Sequence, residues 1–338
     1  MIGLVGSRID SASHSDIPDV ELYDAIERVV DGIEPKLRYF PGYKKILKDS
    51  VATSLTYINH LVDTVPGPLS INSKTFITDP QVKRFFSTLE NTQNIFSSSD
   101  ELRNFFDAAE NSMQNDAFAL LCMEEAEKTV LGMELNDGIL QREVLQTALV
   151  FSDHKILSPA TNEHDVRKGI KQCIFDGLIT HTLQQVLAIK QQINNLDKQK
   201  CKLTSRLKKR QSQGGGLSRL LASASDSTLT DIQSTESIKQ KISENKKMRK
   251  TLPKSWDTTK YFLELIKSTL NQPENFISIN KKYFNINKMG IICDDNSSQE
   301  AKCILFKEIT IANVLKRVVT IVRYPRSDLL PKKTFNLK

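Results

Sequence analysis

Aliphatic side chains recur at alternating spacings of three and four between positions 179 and 207. No other pattern limits so strongly what this chain can fold into. With Ile179 opening a heptad, the a positions are Ile179, Val186, Ile193, Lys200 and Leu207, and the d positions are Thr182, Ile189, Leu196, Leu203 and Arg210. Seven of these ten are aliphatic, and the core run from Val186 to Leu196 is unbroken. A repeat of about 3.5 residues per turn keeps one seam facing a partner helix along its whole length, the signature of a coiled coil. Gln184, Gln185, Gln191, Gln192, Asn194 and Asn195 fill the outer faces. Lys200 at an a position weakens the seam and helps to fix register. The pattern predicts one long helix over 162–210.

The seam needs a partner. A second helical tract beyond Gly214-Gly215-Gly216 carries Ile238 and Ile242 four residues apart, with Leu252 ten further on. An antiparallel hairpin folded about residue 215 pairs position i with roughly 430 minus i. That pairing sets Asp226, Asp231 and Glu236 opposite Lys198, Lys200, Lys202 and Arg206. The rival is a parallel dimer of the first arm, but the charge match favours the hairpin. Ser223, Ser225, Ser227 and Ser234 make the start of the return arm poor helix.

Ahead of the long helix the sequence predicts a mostly helical body. Asp19 stands as an N-cap before Leu22, Ile26, Val29 and Ile33. A second helix over 43–64 carries Leu47, Val51, Leu55, Ile58 and Val62 and stops at Val65-Pro66-Gly67-Pro68. Asp79-Pro80 and Ser98-Ser99-Asp100-Glu101 open two short helices whose paired phenylalanines read as core. A further helix is expected over 116–131, ended by Gly132. A turn follows at Asn136-Asp137-Gly138, then a buried strand at Ala148-Leu149-Val150-Phe151. After a helix over 255–270, five β-branched stretches (276–279, 283–286, 290–293, 303–311 and 317–324) read as an antiparallel meander. The fold class is therefore α+β: a mostly helical N-terminal body, a long central coiled-coil helix or hairpin, and a small antiparallel C-terminal sheet. The expected divisions are a disordered lead-in at 1–18, a helical body at 19–161, a coiled-coil hairpin at 162–252 with a flexible 211–236 tip, and a helix plus β-meander at 253–338.

Charge is unevenly spread. Residues 1–150 hold 13 Lys+Arg and 23 Asp+Glu, a net of −10; residues 151–338 hold 34 and 17, a net of +17. Residues 198–210 carry seven basic residues and no acid, and 239–254 carry seven against one acid. Lys239, Lys241, Lys246, Lys247, Arg249 and Lys250 are the expected contacts to an anionic partner. The 198–210 run has no aromatic residue to stack a base, so a nucleic acid is the alternative partner and a protein, or a second copy held by the coiled coil, the first. Five scattered cysteines without a C-x-x-C pair read as reduced thiols, which indicates the cytoplasm. The opening residues lack the pattern of a signal peptide, and no window suggests a membrane span.

No catalytic residue, cofactor, metal or small-molecule substrate is expected from the sequence. Ser152, Asp153 and His154 are neighbours in sequence and cannot meet as a triad. His154 reads as a structural histidine, with a lone general base as the functional alternative. His14, His60, His164 and His181 show no paired ligand spacing, and His60 points away from the apolar stripe of its helix. Asp294-Asp295-Asn296 with Glu300 lacks the central glycine of a calcium loop and reads as a polar turn. The triple glycine lacks the G-K-[ST] of a phosphate loop.

Val65-Pro66-Gly67-Pro68, Phe151-Ser152-Asp153-His154 and the coiled coil followed by a β-rich end resemble a family of bacterial hypothetical proteins. The resemblance implies a bacterial, cytoplasmic setting and supplies no activity and no functional residues. The expectation is a non-enzymatic interaction or scaffold protein, with a weak, non-specific nucleic-acid-associated factor as the alternative.

Overall fold

The computed structural model describes residues 17–136, 139–213, 227–253, 258–287, 289–293, 301–312 and 315–331. Residues 1–16 of the expected lead-in, the 137–138 turn and residues 214–226 of the expected tip lie outside them, as do Asp294, Asp295 and Glu300. The fold is α+β, and its contacts divide it into two compact units, Met1–Thr53 with Leu178–Asn271 and Ser54–Gly177 with Gln272–Lys338.

The first unit is helical. It contains α1 (Asp19–Ile33), the start of α2 (Tyr43–Asp63), α7 (Glu163–Gln213) from Leu178 onward, α8 (Ser227–Lys250) and α9 (Thr258–Asn271). The stripe of α1 is buried at Leu22, Ile26, Val29, Val30 and Ile33, as the 3.6-residue period requires. Pro18 rather than Asp19 takes the N-cap position, and no side chain caps this helix; Asp19 sits in its first turn and pairs with Lys48 instead. Gly32 permits close approach to α7, since a Cβ there would stand 2.6 Å from Ile179 Cγ2. Glu27 accepts from Tyr43 Oη at 2.7 Å, pairs with Lys44 at 2.7 Å and with Arg38 at 3.0 Å. The bond from Lys44, then that from Tyr43, push its carboxyl down to about 2.

The second unit is built on a sheet. Its strands are β1 (Leu69–Ser70), β2 (Asp116–Asn136), β3 (Ile139–Ala160), β4 (Ile277–Ile286), β5 (Lys302–Ile311) and β6 (Leu315–Pro325), ordered β3-β2-β6-β5-β4. All neighbours are antiparallel except β1, which runs parallel to the end of β6. Short helices α3 (Ser73–Thr78), α4 (Pro80–Phe85), α5 (Leu89–Ser98) and α6 (Asp100–Asp107) supply the other half of the core. Asp79 and Ser99 cap α4 and α6 through Gln81 N and Leu102 N. Phe85, Phe86, Phe96 and Phe106 are buried against Ala117, Leu121, Met123, Phe151, Phe306 and Tyr324. Phe96 stacks on Tyr324 at 4.1 Å and Phe85 meets Phe151 edge-on at 5.2 Å. Arg167, on the first turns of α7, donates to the carbonyls of Val62 (2.7 Å) and Val65 (3.0 Å), which closes the end of α2.

Two expectations are corrected. The stretch 116–131 is strand, not helix. Residues 117–123 form an unbroken apolar run, which periodicity alone cannot assign. Ala117, Ala119, Leu121 and Met123 line the core while Leu120 and Cys122 are buried on the opposite face. A strand buried on both faces loses its alternation. Gly132, expected as a helix cap, lies inside β2 at a bulge. In the meander, 276–279 and 283–286 belong to the single strand β4, and 290–293 forms no strand: Ile291 and Ile292 make isolated bridges to Ala148 and Ile286. The sheet also recruits β1, β2 and β3 from the segment expected to be helical.

Candidate functional site

The described aliphatic residues of the heptad seam are sheltered on α7. Ile179, Thr182, Val186 and Leu196 are buried, and Ile189, Ile193, Leu203 and Leu207 are half-buried, while Lys200 is exposed. On α8, Ile238 and Ile242 are half-buried. Asn245, only 5% exposed, donates from Nδ2 to the Leu196 carbonyl at 3.0 Å. Arg249 turns inward, its Nε 3.4 Å from Asp197 and its Nη1 2.7 Å from the Pro253 carbonyl.

Chain length fixes the direction of this pair. Leu196 precedes the end of α7 by about 26 Å, and Asn245 follows the start of α8 by about 27 Å. Run parallel, the two ends would lie roughly 53 Å apart, whereas the intervening residues reach about 50 Å at full extension. The helices are antiparallel. Their register differs from the expected one, because 196 and 245 add to 441 rather than 430. The shift of about eleven residues has an electrostatic consequence. Lys200 comes level with Lys241 and Lys202 with Lys239, so the two basic runs lie side by side instead of facing acids. Glu236 falls level with residue 205; the side chains of Asp226, Asp231 and Arg210 lie outside the described residues. Lys198, Lys200, Lys202, Arg206 and Lys208 are exposed on α7, as are Lys239, Lys241, Lys246, Lys247 and Lys250 on α8. Such a band raises the local concentration of anions and weakens steeply with salt.

A second charged site escaped the sequence. Lys282 on β4 lies 2.8 Å from Glu308 on β5 and 3.1 Å from Glu125 on β2. Burial opposes its charge, but the bonds to Glu308 and Glu125 outweigh burial and hold the ammonium above its ordinary pKa. Arg317 on β6 reaches Asp153 at 2.6 Å and Glu124 at 3.8 Å. Arg317 holds the Asp153 carboxyl low. Glu124, Glu125, Lys282, Glu308, Lys316 and Arg317 line a cavity of about 300 Å³. Four strands, β2 far in sequence from the other three, supply these groups, so no spacing betrays them; the one sequence signal is a charged pair, Lys307-Glu308, between Phe306 and Ile309.

His154 is structural in its setting. Its Nε2 lies 2.7 Å from the Phe85 carbonyl and its ring stacks on Phe86 at 5.1 Å. Burial lowers its pKa, against the bond to Phe85. His60 is exposed. Among the described residues no three His, Cys, Asp or Glu side chains converge as metal ligands. No helix among them is long and apolar enough to cross a membrane. The chain matches no family model, no curated protein and no solved structure.

Proposed function

We propose that this chain is a non-enzymatic interaction or scaffold protein that acts through the paired helices α7 and α8, and that its partner is an acidic protein surface. One observation carries this reading: the α7–α8 register brings two basic runs level over an aliphatic seam. The five thiols, none in a C-x-x-C pair, fit a reducing compartment such as the cytoplasm. The same band supports a second reading, a phosphate-neutralising contact to nucleic acid, which would be weak and non-specific because residues 198–209 and 236–250 contain no aromatic side chain for base stacking.

The test is binding of an acidic polypeptide and of a generic DNA duplex to the full chain over a salt series. The variant combines Lys239→Glu, Lys241→Glu, Lys246→Glu and Lys250→Glu. Affinity for the polypeptide that this variant abolishes supports the first reading. Preferential binding of the duplex transfers the assignment to the second. Binding of neither probe at low salt removes both. Separately, Ile189→Asp with Leu196→Asp is expected to part the helices and lower helicity; unchanged helicity and stability would remove the seam from the mechanism.

A further inference from the structure

We infer that the outer half of the β2–β3 ribbon is a docking arm for the same arm of a second copy of this chain. β6 pairs with β2 only as far as Met123, and the segment around Gly290 and Ile292 covers the far edge of β3 only at Thr147 and Leu149. Beyond those points, among the described residues, no third strand pairs with the ribbon. An isolated two-stranded ribbon is marginal in water.

The face of the arm has a definite origin. Odd-numbered residues of β2 share one face, because its three pairing irregularities all place the extra residue on β3. At the root this is the core face, buried at Ala117, Ala119, Leu121 and Met123, with Leu149 and Phe151 on β3 beside them. The same face continues outward into Leu131, Met133 and Leu145, which are 69%, 64% and 72% exposed. Leu131 and Leu145 are direct cross-strand partners, so the three side chains form one patch, on the order of 400 Å², within the range of the largest apolar patch on a monomer.

Charge complementarity selects the occupant. Glu127 lies on this face towards the root, and Arg142, the cross-strand partner of Met133, lies on it towards the tip. Both are exposed and neither makes an ion pair among the described residues. Glu127 and Met133 are six residues apart, about 20 Å along the strand. A two-fold axis midway, at the level of Val130, packs the leucines of one arm on those of the other. The same axis sets Arg142 of each arm over Glu127 of its partner. The order acid, apolar, base along one face is thus self-complementary, as a two-fold interface requires. Two such patches are smaller than a standard interface, which points to a micromolar dimer.

The mass of the full chain, measured by light scattering and sedimentation over a concentration series, tests this. A dimer is expected, and Leu131→Lys with Leu145→Lys is expected to return the monomer with an unchanged circular dichroism spectrum. Glu127→Arg or Arg142→Glu alone should weaken the dimer about ten-fold or more, since each reversal repels at two symmetric places. The two reversals combined should restore most of the loss. A monomer at every concentration overturns the inference. So does a dimer that responds to Ile189 and Leu196 but is indifferent to the arm variants. Failure here leaves the α7–α8 reading untouched, because the two surfaces share no residue.

Discussion

Asn245 gives the sharpest test of how α7 and α8 are held together. It is buried at the seam, donates from Nδ2 to the Leu196 carbonyl and to Gln199 Oε1, and leaves its Oδ1 without a partner. Leucine has the same branched set of side-chain heavy atoms, so Asn245→Leu changes polarity with little change of shape. The substitution loses two hydrogen bonds, about 1 kcal/mol each, one to a carbonyl that α7 already occupies within its own ladder and a longer one to Gln199 Oε1 at 3.4 Å. It removes a buried acceptor whose unmet desolvation costs about 1–3 kcal/mol and adds about 1.5–3 kcal/mol of apolar burial. The balance is a stabilisation of about 2 kcal/mol, a rise in midpoint of roughly 4–8 °C for a unit of this size. Thermal and urea unfolding followed by helical circular dichroism measures it. The mass must be measured alongside, because a polar core residue also fixes register and oligomeric state. A midpoint equal to or below that of the parent chain, with the mass unchanged, would show that Oδ1 is satisfied or that the seam is not packed as described.

The pH dependence follows from His154, whose pKa the fold lowers. Below about 6.5 the unfolded chain takes up a proton that the fold resists, so stability falls as pH drops through that window, by at most about 1.4 kcal/mol per unit. His154→Gln keeps a donor for the Phe85 carbonyl and should flatten this slope; an identical slope in both proteins refutes the assignment. Glu27, held down to about 2 by Lys44 and Tyr43, contributes stability that is present above its ordinary range and lost as pH falls towards 2. Glu27→Gln should therefore cost about 1 kcal/mol at neutral pH and little in strong acid, as denaturant titrations at both pH values would reveal. Thiol labelling of the native chain should spare Cys122, whose burial pushes its thiol up to about 12, and modify exposed Cys173, Cys201 and Cys303; prompt labelling of Cys122 would mean that the sheet opens there. Lys282→Met strands Glu125 and Glu308 together and should destabilise by about 1–3 kcal/mol, with partial rescue by Glu308→Gln; no rescue would mean that the ion pairs do not hold the site.

Helices with a single buried stripe were legible because the stripe is local: α1, α2 and the seam of α7 follow from spacing alone. The register of α8 was legible in principle. Ile238, Ile242, Asn245, Arg249 and Leu252 succeed one another at spacings of four, three, four and three, a full heptad track with two polar residues in core positions. Counting only the aliphatic members hides the track, and the charge match of exposed side chains, worth about 0.2–1 kcal/mol a pair, then chose a register eleven residues away. A buried asparagine outweighs several surface pairs. The two long strands were lost for the opposite reason, since β2 is apolar on both faces at its root and so carries neither period. The ion-pair cavity depends on which strands become neighbours, and nothing local in the sequence of β4, β5 or β6 records that.

Backbone conformation explains why β2 and β3 stay useful over more than twenty residues each. β3 contains three non-glycine residues at positive φ, Glu143 at 60°, Asp153 at 46° and Ser158 at 52°. Each coincides with one of the three places where β3 advances one residue more than β2. A bulge of this kind costs strain at a non-glycine residue, on the order of 1 kcal/mol, and increases local twist. It also exchanges the faces of everything beyond it. The Asp153 bulge returns Phe151 to the core while bringing the carboxylate to Arg317 and His154 under Phe86. The Glu143 bulge brings Arg142 onto the face of Leu145, two residues of opposite parity that a regular strand would separate. Replacing Glu143 with glycine should relieve the strain and leave the arm intact. Deleting Glu143 removes the extra residue and leaves Arg142 opposite Met133 on the face of Leu145 in a regular strand, so the dimer should persist. Were the deletion to abolish the dimer in the sedimentation series as Arg142→Glu does, the twist of the bulge and not the shared face would govern what the arm binds.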